Sequence, residues 1–201
     1  SPIHALHVGT AGWSYPDWVG PFYPDGTKRE GMFAHYTQRY TAVELDSSFY
    51  GVPRATAIAS WRDRAPTGFL LCPKFPKEIS HDSFLEGCEA VHETFCARFA
   101  ELGEHLGPML LQFPYFRKAS GVDVSELMRR LEPFLKRHRE MTRARLVVEV
   151  RNKAFLIDDF RALLESHDAV LAAIDHPWMP DPEEILTHDS AEAGARRFSY
   201  L

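Results

Sequence analysis

The stretch Ala42-Val43-Glu44-Leu45-Asp46-Ser47-Ser48-Phe49-Tyr50-Gly51 decides how this chain is read. A short apolar run carries two carboxylates at alternate positions, then breaks into small residues, two aromatics and a glycine. Side chains alternate across a strand, so Glu44 and Asp46 are expected to share a face. A buried carboxylate is destabilising unless something partners it. The run therefore reads as a buried strand whose C-terminal end opens into a polar site.

Outward from this strand the same pattern recurs. Apolar runs at His7–Ala11, Phe69–Cys72, Met109–Phe113, Arg145–Arg151, Ala169–Asp175 and Phe198–Leu201 read as further strands. Between them lie amphipathic repeats of three- and four-residue spacing, the signature of helices. These are Met32, Phe33, Tyr36 and Tyr40 within Lys28–Tyr40, a short helix marked by Ile58 and Trp61, and Val91, Phe95, Phe99, Leu102 and Leu106. Asp123-Val124-Ser125-Glu126 has capping-box spacing and opens another, with the stripe Leu127, Leu131, Phe134 and Leu135. A last helix is expected around Phe160, Leu163 and Leu164.

Near-continuous apolar strands alternating with amphipathic helices, at a spacing of about 25 to 40 residues, call for a parallel sheet covered by helices. Polar residues follow nearly every strand: Thr10, Glu44 and Asp46, Lys74, Gln112, Glu149 and Arg151, Asp175. A (β/α)8 barrel gathers all such ends round one mouth, whereas an open doubly wound sheet gathers only those at its switch point. The expected fold is α/β, a TIM (β/α)8-type barrel forming one domain over residues 1–201, with its C-terminal units missing because the chain stops near a seventh strand.

The 201 residues, 45 % apolar and 25 % charged, are ordinary globular values and exclude a disordered or fibrous chain. A formal net charge of -5 gives no general pull towards nucleic acid or an anionic membrane. No apolar run approaches the ~18 residues of a membrane span, and Ser1-Pro2-Ile3-His4 lacks a signal-peptide pattern. Cys72, Cys88 and Cys96 are odd in number with no CxxC pair, which suggests neither a disulfide framework nor a zinc knuckle and fits a cytoplasmic protein. Ten histidines include His81 and His176, loop residues beside Asp82 and Asp175, from which an imidazole could shuttle protons. His92, His105, His138 and His167 are expected on helix surfaces.

The motifs resemble the YecE-like family, known as domain of unknown function 72. The resemblance rests on Gly9-Thr10-Ala11-Gly12-Trp13-Ser14-Tyr15, Gly20-Pro21-Phe22-Tyr23-Pro24, Val43-Glu44-Leu45-Asp46-Ser47-Ser48-Phe49-Tyr50, Lys74 with Pro76, and Gln112-Phe113-Pro114. It runs in order from residue 7 to about 176 and implies a barrel of the sugar-isomerase type. Asp46 stands where the family usually carries Asn.

Glu44, Lys74, Glu149 and Asp175 are the expected catalytic residues, converging on one cavity. Carboxylates there could split into a general acid and base, or hold a divalent cation through oxygen ligands. No other cofactor is expected. Lys74 could stabilise an oxyanion, act as a Schiff-base nucleophile, or pair with Glu44 or Glu149. Arg151 suits bidentate contact with an anion, or a neighbouring acid. Thr10, Trp13, Tyr15, Asp46, Tyr50, His81, Gln112, Arg151 and His176 complete the expected substrate-binding set. Gly9 and Gly12 either bring backbone amides to an anion or make a tight turn. The basic run from Arg129 to Arg145 reads as a solvated helix face, with phosphate binding as its alternative. The expected partner is a small polar, sugar-like or phosphorylated substrate. A ligand-binding barrel without chemistry and a nucleic-acid-processing barrel are the alternatives.

Overall fold

The structure, a computed structural model, describes residues 6–186 and 198–201. The signal-peptide reading of Ser1–His4 and part of the polar stretch that ends at Arg197 lie outside the described residues. The chain divides into two compact units, one of Ser1–Pro76 with Thr94–Pro108, the other of Lys77–Glu93 with Met109–Leu201.

The first unit holds helix α1 (Arg29–Tyr36), strand β1 (Ala42–Leu45), helix α2 (Ala55–Arg64) and strand β2 (Leu70–Pro73). β1 and β2 pair in parallel, with Ala42 opposite Leu70 and Glu44 opposite Cys72. The segment before β1 joins the same sheet: Glu44 N–H donates to Thr10 O at 3.0 Å and Gly12 N–H donates to Glu44 O at 2.8 Å. On the other side Gly107 N–H donates to Leu71 O at 2.9 Å. Along β1, Val43 and Leu45 are buried while Ala42 and Glu44 are half-buried, the two-residue alternation of a strand. Tyr36, wholly buried, ties helix to sheet: its hydroxyl accepts from Thr10 N–H at 2.8 Å and donates to Ala42 O at 3.0 Å.

Helix α3 (Glu89–Ala100) begins in the second unit and ends in the first. The second unit continues with strand β3 (Met109–Gln112), helix α4 (Val124–Met141), strand β4 (Leu146–Glu149), helix α5 (Asp158–Ser166) and strand β5 (Ala169–Leu171). The three strands form a parallel sheet in chain order, β3-β4-β5. The expected seventh strand meets its edge, where Ala173 N–H donates to Tyr200 O at 3.0 Å. Leu110, Val147 and Ala172 form a buried cluster with Val170, Ile174, Phe198 and Tyr200 packed against it. Asp123 caps α4, its carboxylate accepting from Glu126 N–H at 2.9 Å, as the capping-box spacing requires.

Three expectations change. Glu44 and Asp46 do not continue one strand, because β1 ends at Leu45 and Asp46 opens a 3-10 turn, Asp46–Tyr50. His81, expected in a loop, lies on a wide π-type turn, Glu78–Asp82. His92, His105 and His138 are buried rather than on helix surfaces. His138 follows Leu131 and Leu135 on the inward stripe of α4, so its position, not its polarity, decides where it goes. Among the described residues no helix is long and apolar enough to cross a membrane.

Candidate functional site

In the first unit the polar group lies past the ends of β1 and β2. Lys74 Nζ pairs with Asp46 Oδ1 at 3.0 Å and lies 5.1 Å from the centre of the Phe49 ring. Its partner is therefore Asp46, neither of the two glutamates expected for it. The lysine side chain is largely buried and the aspartate half-exposed. Ser48, fully buried, fastens the two strand ends together. Its hydroxyl oxygen accepts from Lys74 N–H at 2.9 Å and lies 2.6 Å from Lys74 O and 2.7 Å from Leu45 O, both acceptors for its proton. Replacing Ser48 by alanine leaves that buried N–H without its acceptor, and is expected to lower the unfolding free energy by about 1–3 kcal/mol in denaturant titration. An unchanged midpoint would show that the clasp contributes nothing.

Glu44 is half-buried opposite Cys72, whose thiol is pushed up to about 12, first by burial and then by the Glu44 charge. Burial and then the Asp46 charge also raise the Tyr15 phenol. Three other expected residues of this unit have local partners. Thr10 donates its hydroxyl to Gly12 O at 2.7 Å. Trp13 packs on Phe33 and Trp61, with ring centres 5.0 and 5.6 Å apart. Tyr15 bonds Ala11 O and packs on Trp18. The Gly12 amide is used in the sheet, so it is not presented to an anion; the 8–12 segment pairs with β1, and only Gly12, with φ +78°, takes a left-handed conformation. Tyr50 is 80 % exposed. A shallow groove of about 400 Å³ runs beside the turn, lined by Ser47, Gly51, Pro53, Arg54 and Trp61 among others.

In the second unit Glu149 ends β4, the middle strand, and is only 8 % exposed. Arg151 Nε donates to Glu149 Oε1 at 3.1 Å. Gln112 lies beside Glu149 in register on β3. Asn152 clamps the neighbouring loop, accepting from Phe116 N–H at 2.9 Å and donating to Phe116 O at 2.8 Å. Asp175 is exposed past β5. His176 is half-buried and its ring meets Trp178 edge-on at 5.1 Å. His81 lies on the π-type turn, its Nδ1 2.7 Å from Ser80 Oγ. Sequence reasoning missed Ser48, Tyr115 and Trp178; the visible signal was a tryptophan and a tyrosine in polar loops directly after strands. Of the four expected carboxylates, Glu44 and Asp46 lie in the first unit and Glu149 and Asp175 in the second.

The basic run is locally engaged. Arg129 and Arg130 donate to Glu126 at 2.8 and 2.6 Å, Arg137 pairs with Glu93, and Arg139 donates to Ser166 O at 3.1 Å.

These features define a class, an α/β protein of parallel strands with polar side chains past the strand ends. The chain belongs to the DUF72 family: the family described as "Protein of unknown function DUF72" matches residues 7–200. The UPF0759 protein YecE of Escherichia coli (strain K12) is 29 % identical over 111 residues, 54 % of this chain and 38 % of that protein. The match thus spans little more than a third of that relative's length. A DUF72 family protein of Thermotoga maritima has a similar structure, with a TM-score of 0.71 and 26 % identity over 89 % of this chain and 68 % of the other. One of Enterococcus faecalis, at 20 % identity and a TM-score of 0.60 over 87 % and 62 %, shares the fold.

Proposed function

We propose that this chain belongs to a TIM-barrel-type enzyme acting on a small polar, sugar-like or phosphorylated substrate by carboxylate-assisted proton transfer or hydrolysis. The barrel part of the reading is supported by strand order. In each unit the strands follow the chain without reversal, whereas a doubly wound sheet reverses at its switch point.

One observation carries the catalytic part: a nearly buried carboxylate, Glu149, at the C-terminal end of the middle strand, with a single guanidinium at 3.1 Å. Barrel enzymes keep their catalytic groups at such strand ends. Glu149 acts as the base or acid, and Arg151 holds its charge and orients it. Asp175 is the second proposed catalytic group of this unit, and Glu44 and Lys74 are the proposed catalytic groups of the first. The proposed substrate contacts are His81, Gln112, Arg151 and His176 in the second unit and Thr10, Trp13, Tyr15, Asp46 and Tyr50 in the first.

The test starts from a thermal-shift screen of sugars, sugar acids and sugar phosphates, with and without divalent cations, since a ligand of the native state raises its melting temperature. Compounds that bind are then assayed for turnover. Glu149→Gln is expected to reduce kcat about a hundredfold with an unchanged melting temperature, because the amide oxygen still accepts from Arg151. Wild-type turnover in the variant removes Glu149 from the mechanism. Binding without product over long incubation replaces the enzyme by a ligand-binding protein.

A further inference from the structure

Tyr115 and Trp178 are large aromatics that the fold leaves 47 % and 61 % exposed. They follow β3 and β5, and their rings stand 5.1 Å apart at 58°, with the His176 ring also 5.1 Å from the tryptophan in a T-shaped contact. Asn152 ties this wall to the acid site. It follows Arg151 in the chain and grips Phe116, the residue after Tyr115, through two hydrogen bonds. These two bonds hold the loop that carries Tyr115 to the segment that follows Glu149 and Arg151. Arg151 spends one nitrogen, Nε, on Glu149, and its outer edge has no partner among the described residues.

From this juxtaposition, and resting on the reading of Glu149 as the site, we infer that the second unit binds a ring-form sugar bearing an anionic group. The C–H face of the sugar stacks on Trp178, Tyr115 closes the angle against a second apolar edge, and the anion lies against Arg151. Two rings at 58° suit a puckered ring, which offers apolar C–H groups in more than one direction. A flat base would use only one of them. Glu149 and Gln112 offer acceptors to sugar hydroxyls, and an exposed tryptophan keeps its rigid apolar face at small entropic cost.

The test is a fluorescence and calorimetric titration of the whole chain with glucuronate, glucose 6-phosphate, uncharged glucose and AMP. Glucuronate or glucose 6-phosphate is expected to bind, and glucose more weakly. Trp178→Ala should weaken the anionic sugars about tenfold or more, by the size of a stacking contact, while Trp178→Phe restores most of the affinity. Arg151→Gln should bring the anionic sugars down to the level of glucose. Circular dichroism and the melting temperature of Trp178→Ala should match wild type, since the side chain is exposed. Binding that Trp178→Ala leaves untouched overturns the inference even where Glu149→Gln still abolishes turnover. Binding of AMP in preference to all three sugars, or of no sugar at all, overturns the ligand class.

Discussion

Gly9→Ala is expected to cost about 3 kcal/mol of stability, a large part of a typical domain's margin. A methyl group at residue 9 would stand 2.0 Å from the carbonyl oxygen of Ala42 and 2.6 Å from its carbon, with Val43 N at 3.2 Å. All three are backbone atoms of β1, and none can turn aside as a side-chain tip would. Relief requires the 8–12 segment to move off the strand, which breaks the Ala42 N–H bond to Val8 O, the Glu44 N–H bond to Thr10 O and the Gly12 N–H bond to Glu44 O. Gly31→Ala is the control. Gly31 sits inside α1 with Thr27 Cγ2 at 3.8 Å as its nearest neighbour, and alanine there should stabilise by about 0.5–1 kcal/mol through helix propensity. Urea unfolding followed by circular dichroism measures both. A Gly9→Ala midpoint equal to wild type would mean that the first segment does not pair with β1.

This glycine also shows what the sequence made legible and what it did not. A glycine after a short apolar run announces an anion at the backbone amides or a tight turn; at Gly9 what comes close is the backbone of β1, which neither reading named. The alternation of strands and helices, the cap at Asp123 and the buried stripe of α4 follow from periods of two and 3.6, so the sequence displays them directly. The ion pair of Asp46 and Lys74 joins residues 28 positions apart, and no local pattern encodes which acid a lysine reaches. Ser48 looked like one small residue in a turn, because the clasp it makes depends on β2 arriving alongside. Trp178 lies in a stretch rich in proline and acids, where no periodicity marks a large aromatic as more than loop filler. Glu44 and Glu149, one in each unit, were legible for a simpler reason, since an acid in an apolar strand conflicts with its surroundings wherever the strand ends up.

The histidines were misread through polarity, and their burial carries the second large effect: below pH 6.5 the protein should lose stability by about 1.4 kcal/mol per pH unit from His92 alone, so about 2 kcal/mol is gone by pH 5. His92 is fully buried, its ring stacked on Phe134 with centres 3.9 Å apart. Its Nε2 lies 3.2 Å from His138 Nδ1, and His138 Nε2 lies 3.0 Å from Ala144 O. A carbonyl only accepts, so His138 Nε2 carries the proton, its Nδ1 accepts, and His92 Nε2 donates. A second proton on His138 would set N–H against N–H. Burial first, then the neighbouring His138 and Arg137, push His92 down to about 3, and burial lowers His138 as well. Each group is neutral in the fold where the unfolded chain, near its ordinary value of 6.5, takes up a proton. The unfolded state therefore binds more protons as pH falls through 6.5, and the loss continues for His92 until about pH 3. Glu126, held down to about 2 by hydrogen bonds from Arg129 and Arg130, makes its contribution at lower pH than this window. Urea unfolding at pH 7.5, 6 and 5 reads the slope. In a His92→Leu, His138→Leu double variant the slope between pH 6.5 and 5 should flatten, whatever the variant's stability at pH 7.5. A wild-type midpoint that holds steady to pH 5, or a slope that the double variant keeps in full, would show that this pair is not what acid attacks first.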